Sequence, residues 1–251
     1  MIEALKLFDS YNRQARLYPA LLALLPAALT ALAWFPQLLT GSVGGALVTV
    51  VAMCGGLYLL AEVARTAGKK LEPSLLRDWG GRLSTRLLRH GDTGLPAVTK
   101  ERYQAVLSRK VGISWPSAAD ERADPGRCDE IYRSATDWLR EQTRGPQYGR
   151  LLVENTSYGF RRNLLGLRAV AIILCVGSIL VPIGYLLVSN GWLMDQAWAD
   201  LSQERELARL VAGAAALAAL GLWIFVVRAS WVKRAGDEYA RALLACCDTL
   251  L

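Results

Sequence analysis

Residues able to do acid–base, nucleophilic or metal chemistry are sparse in this chain of 251 residues. The one histidine, His90, lies in LLRHGD, close to Asp92. A histidine–carboxylate pair can move a proton, but beside a glycine turn it reads first as a surface or capping group. The carboxylate pairs Asp120-Glu121 and Asp129-Glu130 fall in acidic runs beside arginines, where solvated ion pairs are the default. HExxH, CxxC, a Walker A loop, GxGxxG and GxSxG are all missing from the sequence. Cys54, Cys128, Cys175, Cys246 and Cys247 have no ligand spacing and read as free thiols. No catalytic residue, metal site or cofactor is expected, and the chain is not read as an enzyme.

The side chains with binding chemistry are cationic and aromatic. Arg77, Trp79, Arg82, Arg86 and Arg89 form one cluster; Tyr158, Phe160, Arg161 and Arg162 form another; Lys100, Arg102, Arg109 and Lys110 lie between them in sequence. Guanidinium groups grip phosphate with two parallel hydrogen bonds, and aromatic faces stack bases. These residues are the candidates for binding a nucleotide or nucleic acid. Anionic lipid headgroups would use the same chemistry, and both readings stay open. Between Arg65 and Arg168 there are 20 Lys+Arg against 12 Asp+Glu, a surplus of +8 in a chain whose net charge is +7.

The elements that must position these cations are set by four apolar runs. With 53% hydrophobic residues the chain is too apolar for an ordinary soluble domain of its length. Runs of about 18 or more apolar residues read as membrane spans. They are Leu17–Leu39, Val43–Val63, Ala169–Asn190 and roughly Ala208–Trp231. At the helical rise each covers about 30–36 Å, enough to cross a bilayer with modest tilt. The first run is not read as a signal peptide, because a mixed-charge amphipathic segment precedes it and no cleavage site follows.

Charge orients the spans. The turn Thr40–Ser42 is uncharged, and the Trp192–Glu206 loop holds Asp195, Asp200, Glu204 and Glu206 against Arg205 alone. The other flanks carry Lys6, Arg13 and Arg16; Arg65, Lys69 and Lys70; Arg161, Arg162 and Arg168; and Arg228, Lys233 and Arg234. The positive-inside rule then puts both termini and the central segment in the cytoplasm. Trp34, Trp192 and Trp223 are candidate interface anchors. The expected fold is an all-α membrane protein with two transmembrane helical hairpins flanking a mostly helical cytoplasmic domain. Its parts are an amphipathic N-terminal segment (1–16), the first hairpin (17–64), the basic domain (65–168), the second hairpin (169–231) and a C-terminal helix (232–251).

Within the basic domain, Glu72-Pro73-Ser74 is read as opening a segment that Gly80-Gly81 breaks. Thr99 is the expected N-cap of a helix that buries Tyr103, Val106, Leu107 and Val111 and ends at Gly112. A short helix follows Ser117. A second long helix runs from Cys128 to about Thr143, with Ile131, Ala135, Trp138 and Leu139 on its apolar face. The C-terminal helix shows Tyr239, Leu243, Leu244 and Cys247 on one side, for docking on the basic domain or on a neighbouring subunit. In the spans, Gly44-Gly45, Gly55-Gly56, Gly213–Ala216 and Gly221 permit close helix packing, within the chain or between subunits around a pore. Pro26 and Pro182 are candidate kinks for a gate, with Gly55 and Gly56 as gating or packing positions. No charge sits at mid-span, which disfavours an ion-coupled transporter and leaves a hydrophobically gated pore open.

The order of WGGRLSTRLLRHGD, KERYQAVLSRKVG, ADPGRCDEIYRSATDW and YGFRRNLLGLR resembles a widespread family of bacterial four-span membrane proteins. That family carries a WGG-x-P-T-T-x-x-LR element, and this chain departs from it at Leu83-Ser84. In layout the chain is similar to the transmembrane effectors of Hailong-type antiphage defence. The resemblance implies an inner-membrane homo-oligomer, a tetramer, whose channel is gated by a nucleotide or oligonucleotide made by a partner nucleotidyltransferase. The alternative from a different class is a non-channel membrane scaffold whose basic domain binds anionic lipid or a protein. YGFRRNLLGLR is at least the basic collar of the third span. Tyr158, Phe160 and Asn163 exceed what topology demands and mark it as a candidate coupling segment.

Overall fold

A computed structural model describes residues 11, 13–36, 42–192 and 203–250; among them every regular element is helical. A π-helical turn at Arg13–Leu17 continues into α1 (Tyr18–Trp34). There follow α2 (Val43–Asp78), α3 (Leu83–Leu88), α4 (Ala97–Val111), α5 (Ala118–Ala123) and α6 (Pro125–Gln142). Then come α7 (Gly149–Trp192), α8 (Gln203–Phe225) and α9 (Ala229–Ala245), and a tight turn at Cys246–Thr249. Four of these helices, α1, α2, α7 and α8, are long and apolar enough to cross a membrane. Lys6, Leu38, Leu39, Thr40, Asp195, Asp200 and the side chains of Trp192, Glu204 and Arg205 lie outside the described residues.

The described residues divide into two compact units, Met1–Lys70 with Phe160–Arg228, and Leu71–Gly159 with Ala229–Leu251. In the first unit α1 lies along α8. Pro19, Ala20, Ala23, Pro26 and Thr30 form the buried stripe of α1, and Ala212, Ala216 and Trp223 that of α8. Small residues suit this contact because helices in lipid gain from close van der Waals approach rather than from escaping water. At one end the Arg209 guanidinium sits 4.6 Å from the centroid of the Trp34 ring, and Tyr185 meets Trp34 edge-on at 5.9 Å. Helix α2 stays bare: 11% of its most apolar window is buried, against 28% for α1 and for α7.

In the second unit the six-residue α3 is central, with Leu83, Thr85, Leu87 and Leu88 buried. It packs against α4, α6 and α9. Tyr103, Val106 and Leu107 of α4, Tyr132, Ala135 and Leu139 of α6, and Val232, Leu243 and Leu244 of α9 complete the core. The C-terminal helix therefore docks on its own chain, the first of the two places its amphipathic pattern allows. Gly236 makes that docking close, since a Cβ there would lie 2.7 Å from Leu83 Cδ1.

Several local expectations need correction. Helix α2 does not restart at Pro73 but runs through it to Asp78. Proline fixes a helical φ and forfeits only one hydrogen bond, and Pro73 is exposed where water can take the freed carbonyl. The stop comes at Gly80, whose φ of +78° lets Gly81 N–H reach the Leu76 carbonyl (2.8 Å) and Gly80 N–H that of Arg77 (3.1 Å). Pro96, not Thr99, stands at the N-cap of α4, and α6 starts at Pro125 with the Asp124 carboxylate accepting from Arg127 N–H. The buried stripe of α6 is Cys128, Tyr132, Ala135, Thr136 and Leu139, one step around from Ile131 and Trp138. Val111 of α4 is half-buried rather than core.

The fourth apolar helix ends at Phe225, not Trp231. No glycine or proline marks that end. Instead Arg168 donates from Nε to the Trp223 carbonyl (3.1 Å) and from Nη2 to that of Ile224 (3.3 Å). Val226 and Val227 N–H both turn back to the Leu222 carbonyl. These bonds satisfy the carbonyls a helix leaves open at its C-terminus.

Candidate functional site

Half of the ten cations singled out above, Arg82, Arg86, Arg89, Lys100 and Arg102, are held by the second unit itself. Arg82 donates to Asp137 at 2.8 Å. Arg86 donates to the Trp79 carbonyl at 3.1 Å and lies 3.1 Å from the Asp92 carboxylate, with Asp237 of α9 further out at 3.9 Å. Arg89 forks onto both oxygens of Asp129 at 2.8 and 2.5 Å, and this bond holds its proton more firmly than usual. Arg102 forks onto Asp248 at 2.9 and 3.3 Å, with Tyr103 OH donating to the same carboxylate. Asp129 and Asp137 on α6, and Asp237 and Asp248 near the C-terminus, are thus the partners missing from a sequence-level reading of the basic clusters.

Lys100 is 5% exposed and serves a structural purpose. Its Nζ donates to the carbonyls of Arg89 (2.7 Å), His90 (3.4 Å) and Asp92. Gln104, one turn on, donates to the Leu88 carbonyl at 2.9 Å. Together they satisfy the carbonyls where α3 ends and complement its negative end. An ammonium has three protons, so all three are committed to the backbone. Trp79 is also buried, at 7% exposure, and presents no face for a base to stack on. Lys100 and Trp79 are therefore removed from the ligand set.

His90 belongs to the same scaffold. Its Nε2 lies 2.9 Å from the Pro116 carbonyl and therefore carries the proton, while its backbone N–H donates to Glu121. Glu121 also accepts from Tyr132 OH at 2.8 Å; burial first, and this bond second, push the Tyr132 pKa well up. Asp92, the carboxylate near His90 in sequence, turns to Arg86 and to Gly94 N–H instead. No histidine–carboxylate proton relay is assembled here. Among the described residues no group of three or more His, Cys, Asp or Glu side chains could hold a metal.

What remains outward-facing is narrower than the sequence clusters. Arg77, Arg109 and Lys110 are exposed and make no ion pair among the described residues. Arg109 and Lys110 close α4 just before Gly112, whose left-handed φ of +71° ends the helix. Tyr158 stacks almost parallel on Tyr239 at 6.2 Å, and its hydroxyl donates to Glu72 at 3.1 Å. Phe160, Arg161 and Arg162 are half-buried, and each already has interaction partners.

The element YGFRRNLLGLR straddles the unit boundary, which falls after Gly159. Its second half has a clear structural reason. A Cβ on Gly166 would stand 2.5 Å from Gly68 N and 2.9 Å from the Ala67 carbonyl carbon. Backbone meets backbone at this crossing of α2 and α7, which only glycine permits. One turn back, Asn163 is 2% exposed and donates from Nδ2 to the Ala15 carbonyl at 2.7 Å. A Cβ on Gly68 would lie 2.4 Å from Asn163 Oδ1. Asn163 and the two glycines thus join the chain at Ala15, α2 and α7.

The candidate gating residues fall into two kinds. Pro26 is buried inside α1 and Pro182 half-buried inside α7, and both helices continue through them. Gly55 and Gly56 face open space, with nothing within 4 Å of a Cβ at either position; Gly213 and Gly221 do likewise. The five cysteines are free, and burial pushes the Cys247 thiol up to about 12. No family model, curated protein or solved structure matches the chain.

Proposed function

We propose that the protein is an oligomeric ion channel of the bacterial inner membrane, gated by an anionic nucleotide or oligonucleotide on its basic segment and serving antiphage defence. In this reading the two hairpins cross the membrane with both termini and the 65–168 segment cytoplasmic, and the chain is not an enzyme. The observation that carries it is the continuity of α2 and α7. Each runs unbroken from an apolar, span-length stretch into the residues of the second unit. A ligand that moves the basic segment would therefore act on two membrane helices without an intervening loop. The bare apolar length of α2, with Gly55 and Gly56 open, supplies surface for neighbouring subunits. The resemblance at YGFRRNLLGLR adds the tetramer and the partner nucleotidyltransferase.

The ligand contacts in this reading are Arg77, Arg109 and Lys110 first, with Tyr158, Phe160, Arg161 and Arg162 as the coupling segment. Arg82, Arg86, Arg89 and Arg102 contribute only by exchanging an internal carboxylate for a phosphate. The test is binding of a single-stranded oligonucleotide to the full protein in detergent across a salt series. Affinity should fall with salt, and Arg109→Gln with Lys110→Gln should flatten that slope by about one to two units. Salt-independent binding, or no binding at low salt, refutes the ligand.

A non-channel scaffold that docks anionic lipid or a protein is the second reading. The internal pairing of Arg82, Arg86, Arg89 and Arg102 leaves fewer cations for any anionic ligand, and within this reading it favours the protein partner over the lipid.

A further inference from the structure

Of the four candidate arginines held by internal carboxylates, Arg102 has the most exposed pair. Its guanidinium forks onto Asp248 at 2.9 and 3.3 Å, and the two side chains are 45% and 41% exposed. The pair of Arg86 with Asp92 is far more enclosed, at 25% and 15%. Among the described residues Asp248 is the only carboxylate paired with Arg102. Exposed pairs of this kind contribute little to stability, so an anion from solution can take the carboxylate's place. Arg102 keeps its position in such an exchange, since its guanidinium also lies 5.5 Å from the centroid of the buried Tyr103 ring.

Asp248 lies in the tight turn Cys246–Thr249, which packs on α4 and α9. That turn is held by other groups than this carboxylate. Cys246 and Cys247 are buried, Thr249 OH donates to the Cys246 carbonyl at 2.7 Å, and Leu250 N–H donates to that of Cys247 at 3.1 Å. The Asp248 side chain can therefore swing into water while the turn stays in place. On α4, Arg109 stands two turns after Arg102, about 10 Å along the axis and on the same exposed face. Only the small Ala105 lies exposed between them, and Lys110 flanks Arg109. A phosphate chain anchored at Arg109 and Lys110 is thus presented to Arg102 at high effective concentration. A lone phosphate gains no such anchorage.

We infer that Asp248 is a built-in competitor for a ligand phosphate on Arg102, so that the unliganded chain covers this cation with its own carboxylate. The competitor presupposes the polyanionic ligand proposed above and sets how tightly that ligand is held. The fork that grips a carboxylate also grips two phosphate oxygens, so the exchange keeps both hydrogen bonds of Arg102. Tyr103 OH, which donates to Asp248 at 3.3 Å, passes to the phosphate in its place.

The test is binding of a fluorescent single-stranded oligonucleotide to the purified full-length protein in detergent at low salt. Asp248→Asn and Asp248→Ser both remove the competing charge, and each should tighten binding about fivefold. Glu101, next to Arg102 in sequence, is exposed and forms no ion pair among the described residues. Glu101→Gln removes the same charge without freeing Arg102 and should stay within about twofold of the wild type. In an Arg102→Gln background, Asp248→Asn should likewise stay within about twofold, because the group competed for is gone. A wild type that binds while neither Asp248 variant binds tighter overturns the competitor and leaves the ligand standing. An equal gain in Glu101→Gln, or the full gain in the Arg102→Gln background, does the same. Absence of binding by the wild type and both Asp248 variants overturns competitor and ligand together. Exchanging chloride for phosphate at constant ionic strength should leave the gain in place; its loss overturns the phosphate chain in favour of a free phosphate ion on Arg102.

Discussion

Replacing Gly166 by alanine perturbs the first unit at its tightest point. The added Cβ would lie 2.5 Å from Gly68 N, whereas ordinary contacts begin at 3.4 Å, so α2 and α7 must separate locally by about 0.9 Å. All three obstructing atoms at this position, Gly68 N, the Ala67 carbonyl carbon and Gly68 Cα, are backbone and cannot swing aside. Overpacking of this kind costs about 1–3 kcal/mol. The same separation strains the buried bond from Asn163 to Ala15, and an unmade buried amide bond costs about 1–3 kcal/mol more. Against this, alanine gains up to about 1 kcal/mol over glycine as a helix former. The net loss is about 1–5 kcal/mol, or roughly 2–20 °C in Tm for a chain of this size. Thermal unfolding of the purified protein in one detergent, followed by tryptophan fluorescence, measures it. Gly149→Ala is the internal control, because its Cβ meets nothing and its backbone is already helical, so it should be neutral or slightly stabilising. An unchanged Tm for Gly166→Ala, or an equal fall for Gly149→Ala, would refute the close crossing.

Further outcomes follow from the same geometry. Lys100→Met strips three carbonyls of their donor and should destabilise the second unit by about 2–4 kcal/mol, read as a lower urea midpoint with unchanged slope. Arg168→Gln removes the two bonds that close α8 and should cost about 1–3 kcal/mol, with faster amide exchange confined to residues near 223–227. The Cys247 thiol, pushed up to about 12 by burial, stays protonated through neutral and mildly alkaline pH. It should resist iodoacetamide at pH 8 in the folded protein and react once denatured; equal rates in the two states would contradict its burial.

Much of the layout is legible in the sequence because lipid leaves few options for a backbone. Four apolar runs give four span-length helices, and Gly80, Gly81 and Gly112 end helices where their positive φ is needed. Asn163 stands out in YGFRRNLLGLR, but its reason lies at Ala15, 148 positions away. The partners of the basic clusters are equally remote: Asp129 is 40 residues from Arg89 and Asp248 is 146 from Arg102. Local composition counts such arginines as free charge, and only folding reveals their neutralisation. The end of α8 is also hidden, since an arginine on another helix rather than a local glycine closes it. Lys100 looks like one more surface cation until α3 brings three carbonyls to it.

Conduction under ligand control is decided by ion flux from proteoliposomes. Purified wild-type protein is reconstituted, and potassium release is followed with and without a single-stranded oligonucleotide at low salt. The oligonucleotide should change the flux at least severalfold, with the change lost in Arg109→Gln/Lys110→Gln while basal flux persists. Liposomes that stay tight in both conditions, though the protein is inserted and folded, would contradict it.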